Sequence, residues 1–77
     1  MHDDLGTILE MISRIGSVGG GLKPDQDFYE AGFTSVMALP LLMEMEEQFQ
    51  VSIPDDRFIQ ARTARALHQV VADLKTN

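Results

Sequence analysis

The chain contains no cysteine and no tryptophan, only three prolines and one tyrosine, and half as many basic residues as acidic ones. Without Cys there is no disulfide framework, no thiolate metal site and no Cys nucleophile. The six Lys and Arg stand against twelve Asp and Glu, for a formal net charge of −6. Such a surface repels phosphate backbones and anionic lipid, so nucleic acid and membranes are excluded as partners and basic protein surfaces are favoured. No apolar run approaches the roughly 20 residues of a membrane span. The opening "MHDDLG" lacks the basic and apolar regions of a signal peptide, so a cytoplasmic protein is expected. What is present is 44% hydrophobic and 23% charged residues in 77 positions. That is the composition of a folded protein, a single domain over residues 1–77 and a monomer, with too little interior for a large cleft.

Leu5, Ile8, Leu9, Ile12 and Ile15 fall on one stripe of a helix that Asp3 or Asp4 starts and Gly16 stops. The glycine-rich stretch over residues 16–27 reads as a long surface loop. Its glycines match no phosphate-binding spacing, and no strand precedes them. Phe28 and Phe33 are expected to pin the end of this loop to the core. From Ser35 the pattern is helical again, with Leu39, Leu42, Met45 and Phe49 predicted to face inward and Leu41 placed on a flank with Met37, Glu44 and Gln48. Pro40 predicts a bend or a late helix start, since it lacks an N–H and crowds the preceding turn. Pro54 and Asp55 open a short helical turn. Thr63 caps a last helix carrying Leu67, Val70, Val71 and Leu74. The expected fold is all-α: a small antiparallel bundle of three main helices and one short one, with a long loop between the first two.

Few residues offer chemistry. His2 and His68 are the only histidines, no Gly-x-Ser-x-Gly elbow occurs, and no His, Asp or Glu cluster has metal spacing. The chain is therefore not expected to be an enzyme or to hold a metal. Ser35, in "GFTSV", stands where loop becomes helix. Its hydroxyl has two physical uses there. Thr34 or Ser35 can cap the helix, or Ser35 can bear an anion that the positive end of the helix dipole favours. Position alone leaves both open, with the cap the more economical.

The stretch "DFYEAGFTSVMALPLLMEMEEQFQVSIPDD" resembles the central part of acyl carrier proteins and related carrier domains. The matching residues are Gly32, Ser35, Glu46, Glu47, Phe49, Ile53, Pro54 and Asp55, in the family's order and between helices placed as the family has them. The resemblance implies that Ser35 is the attachment site for 4′-phosphopantetheine, transferred from coenzyme A by a phosphopantetheinyl transferase. The arm would hold acyl or aminoacyl cargo as a thioester, leaving the chemistry to cofactor and partner enzymes. It further implies that the second helix docks on basic patches of a cargo-loading ligase and of downstream enzymes, through Thr34, Val36, Met37, Met43, Glu44 and Glu47.

Thr34 and Val36 replace the Asp and Leu usual on either side of the Ser, and Pro40 is atypical of carriers for fatty-acid synthesis. These departures point to a specialised stand-alone carrier. The segment looks most like small bacterial carriers that receive amino acids from synthetase-like ligases. A competing reading makes the chain an unmodified helical adaptor that binds a protein through Val36, Met43 and the acidic surface.

Overall fold

A computed structural model describes residues 3–19 and 21–75. Four helices make up the fold: α1 (Asp4–Gly16), α2 (Ala38–Phe49), α3 (Asp55–Gln60) and α4 (Ala64–Lys75). A single 3-10 turn, Ser35–Met37, leads into α2. No strand occurs among the described residues.

Helices α1, α3 and α4 begin where the chain supplies a side-chain acceptor or a fixed φ. The Asp3 carboxylate accepts the Gly6 N–H at the start of α1, and the Thr63 hydroxyl accepts the Ala66 N–H at the start of α4. Pro54 precedes α3, where its extended backbone (φ −60°, ψ 140°) introduces the first turn. Helix α1 runs through Gly16 and ends on Ser17, whose left-handed φ of 53° brings its N–H to the Ser13 carbonyl. Gly16 is therefore inside the helix, and Ser17 ends it. Pro40 falls in the first turn of an α2 that begins only at Ala38, where an amide has least to contribute to the helix ladder. The late start is the expected accommodation.

Lys75 pairs with Asp4 at 3.7 Å and its ammonium lies 5.5 Å from the centre of the Phe49 ring. The end of α4 thus meets the start of α1 and the end of α2, which sets α1 antiparallel to both. The core comprises Ile8, Met11 and Ile12 of α1, Leu41, Leu42, Met45 and Phe49 of α2, Phe58 of α3, Leu67, Val70 and Val71 of α4, and the loop residues Phe28, Phe33 and Ile53. Phe28 and Phe33 are the expected pins, and the phenylalanines fill the space between the helices.

One register expectation fails. Leu41 is fully buried, and Leu39 is 61% exposed. On a helix Leu39 lies about 120° from Met45, whereas Leu41, Leu42 and Phe49 all lie within about 60° of it. Once Met45 and Phe49 point inward, Leu41 completes the buried face and Leu39 is turned toward α3 and solvent.

Candidate functional site around Ser35

The segment before Ser35 is a compact turn. Phe33 N–H donates to the Phe28 carbonyl (3.0 Å) and Gly32 N–H to the Tyr29 carbonyl (3.3 Å). Gly32 has φ +117°, a value that a side chain makes costly. The rings of Phe28, Tyr29 and Phe33 pack together with centroids 4.7 to 5.6 Å apart. Thr34 is extended, and the chain then enters the 3-10 turn at Ser35.

This geometry bears directly on the two uses of the hydroxyl. The turn closes through main-chain groups: Met37 N–H donates to the Thr34 carbonyl (3.0 Å) and Ala38 N–H to the Ser35 carbonyl. Thr34 makes no side-chain cap, and neither does Met37 at the start of α2. The capping expected of Thr34 is thus taken over by its carbonyl, because a 3-10 turn satisfies the first amides internally. Ser35 is exposed, and no hydrogen bond among the described residues engages its hydroxyl.

Ser35 opens onto a surface groove of about 250 Å³ between α2 and α3, lined by Ala38, Leu39, Leu42, Asp55, Phe58 and Ile59. Among the described residues, the large exposed hydrophobics, Val36 (75%), Leu39 (61%), Met43 (60%) and Ile59 (66%), all belong to the turn before α2, to α2 itself or to α3. Isolated apolar exposure is ordinary, but clustering beside one uncommitted hydroxyl is not. The α3 side of this patch was not legible in the sequence. "RFIQ" gives Phe58 and Ile59 equal claim to the core, and a six-residue helix buries only Phe58.

The six residues expected to meet partners divide into groups. Thr34, Val36, Met43 and Glu47 are exposed, and Met43, Glu44 and Glu47 line one shallow depression with Pro40. Glu44 is engaged by Arg14 of α1 in a close ion pair. Met37 packs half-buried against the core and is not on the exposed face. Glu46, beside Glu47, turns inward and accepts the Ile53 N–H at 2.8 Å. Arg57, Arg62 and Arg65 pair with Asp73, Asp27 and Asp25, so these cations are offset locally and the acidic excess sets the field around α2. His68 is half-buried in α4, and His2 lies outside the described residues. No group of His, Asp or Glu among the described residues could hold a metal ion.

Comparison with protein families matches residues 6–71 to the model of the phosphopantetheine attachment site. The chain belongs to this family. Its members are carriers to which 4′-phosphopantetheine is attached, and the site has what attachment of a phosphate ester needs: an exposed hydroxyl outside every cap, at the positive end of a helix. When bound, the arm supplies a thiol for cargo. Comparison with curated proteins finds no match. No helix among the described residues is long and apolar enough to cross a membrane.

Proposed function

We propose that the chain is a carrier domain of the cytoplasm whose arm is joined to the Ser35 hydroxyl. The observation that carries this reading is that Ser35 is exposed at the head of the α2 segment, with its hydroxyl outside the capping network. In the attachment step Ser35 Oγ gives up its proton and forms an ester to the pantetheine phosphorus, while the pyrophosphate bond of coenzyme A breaks and adenosine bisphosphate leaves. The transferase supplies the base. The chain's own part is to hold the nucleophile clear of competing hydrogen bonds and to place the helix dipole behind the new phosphodiester.

Cargo-loading and cargo-using enzymes would dock on Val36, Met43 and Glu47, with Leu39 and Ile59 extending the apolar area toward α3. Charge-guided docking of this kind is fast, weak and salt-sensitive, which suits a carrier that visits several enzymes. We favour aminoacyl over long acyl cargo, because Phe28, Phe33, Phe49, Phe58 and Met45 fill the interior and a short polar cargo requires no cavity there.

The test is to incubate the protein with coenzyme A and a broad-specificity phosphopantetheinyl transferase and to weigh it intact. A gain of one phosphopantetheine group, lost in Ser35→Ala, is expected. Absence of the adduct with several transferases would overturn the assignment and leave the adaptor reading, in which Ser35→Ala binds partners normally and Met43→Glu does not. The cargo is identified by mass spectrometry of protein taken from its native cell with the thioester intact.

A further inference from the structure

The segment that presents Ser35 is buried through apolar rings, and apolar contacts fix depth without fixing orientation. Directional contacts must do the rest. Those between this segment and the helices converge on one residue, Arg62, at the junction of α3 and α4. Its Nε donates to Asp27 Oδ2 at 2.7 Å, its carbonyl accepts the Phe28 N–H at 3.0 Å, and its guanidinium lies 4.7 Å from the centre of the Tyr29 ring. Asp27 distributes that restraint along the turn. Its Oδ1 accepts the N–H groups of Tyr29 (2.9 Å) and Glu30 (3.2 Å), and its carbonyl accepts the Ala31 N–H. From Phe28 to Phe33 the turn is closed on itself, so rotation at Asp27 would be carried to Thr34 and Ser35.

Resting on the assignment of the arm to Ser35, we propose that Asp27 and Arg62 are positioning residues for its attachment. Neither touches the reacting atoms. They hold the turn that sets the direction of the Ser35 Oγ. A second pair of similar form, Arg65 Nε to Asp25 Oδ1 at 2.7 Å, joins the same loop to α4 before the turn begins. Breaking it removes an ion pair without loosening the turn, so it serves as the control.

The experiment compares Arg62→Gln, Asp27→Asn, Arg62→Lys and Arg65→Gln with the unaltered chain. Attachment is followed by intact mass under steady-state conditions, and backbone amide exchange is measured on the unmodified protein. Arg62→Gln and Asp27→Asn are expected to lower kcat/KM for the carrier about tenfold, since displacing a reacting group by about 1 Å can slow a step about a hundredfold. The KM for coenzyme A should not move. Arg62→Lys should recover part of the loss, and Arg65→Gln should match the parent chain. Exchange at Tyr29, Ala31, Gly32 and Phe33, whose amides are bonded within the turn, should quicken in Arg62→Gln while that of Ile8 to Ile12 stays fixed. Equal slowing in Arg62→Gln and Arg65→Gln, or none in either, overturns the proposal. If the parent chain accepts no arm at Ser35, the assignment of the arm falls by itself. Amide exchange then decides the positioning, with unchanged exchange in Arg62→Gln sinking it and quicker exchange upholding it.

Discussion

The ring of Phe33 occupies the space that a side chain on Gly16 would need: a Cβ built there would lie 2.2 Å from Cδ1 and 2.8 Å from Cε1. Helix α1 and the turn before Ser35 can approach this closely only because residue 16 has no side chain. Phe33 is itself buried and held by Phe28 and Tyr29, so neither partner yields easily. Gly16→Ala should lower stability by about 1–3 kcal/mol through overpacking, despite alanine's better helix propensity. Urea unfolding midpoints measure this, and the smaller ring-free side chain in Gly16→Ala/Phe33→Leu should blunt the effect of the alanine.

Acid sensitivity is expected from Asp27. The Arg62 guanidinium, chiefly through its hydrogen bond and helped by the Glu30 and Tyr29 amides, holds this carboxyl below its ordinary range. A carboxyl that is harder to protonate folded than unfolded contributes stability that is fully present above the unfolded value of about 3.9. The contribution is lost as pH falls from there through the lower folded value. Asp27 is partly exposed, so solvent and salt screen the pair. Unfolding curves taken below about pH 4 should show a shallower acid slope for Asp27→Asn than for the parent, and an unchanged slope would mean that Arg62 does not hold the carboxyl.

Glu46 and Glu47 are adjacent acids with opposite roles. The Ile53 N–H, in the loop between α2 and α3, relies on the Glu46 carboxylate. Glu46→Ala should cost about 1–2 kcal/mol by leaving that amide without its partner, and Glu46→Gln should recover much of it. Glu47→Ala should change stability by no more than about 0.5 kcal/mol, yet weaken docking to a basic partner at low salt. Thermal unfolding and titration against a loading enzyme separate the two outcomes.

Helix α2 ends at Gln50, which takes a left-handed φ of 58° without being glycine. Its amide donates to the Glu47 carbonyl at 3.1 Å, a partial compensation on an exposed surface. Gln50→Gly should therefore raise stability by about 0.5–1 kcal/mol. Loss of stability in this variant would show that the side-chain bond outweighs the backbone strain.

Periodic features were legible in the sequence. The α1 and α4 stripes, the Phe28 and Phe33 pins, the Thr63 cap and the delayed start at Pro40 all follow from local spacing or from one residue's covalent limits. The faces of Leu39 and Leu41 were not legible, because two leucines 200° apart on a helix compete for one inward stripe and only packing selects between them. The Asp27–Arg62 pair spans 35 residues of chain. Charge alone could not select it among twelve acids and six bases. Ser35 was legible as a place where the helix begins, but whether its hydroxyl is spent on a cap depends on the 3-10 turn, a matter of a few degrees of backbone that residue types do not specify.

The Asp4–Lys75 contact has a practical bearing on how the molecule can be handled. Helix α1 carries the chain about 18 Å from that contact to Gly16, beneath the turn that presents Ser35. Asp4 and Lys75 therefore lie at the pole opposite the Ser35 hydroxyl. A fluorophore or an immobilising bead held at that pole leaves Ser35 unobstructed, and the arm proposed for that residue would stay free to swing.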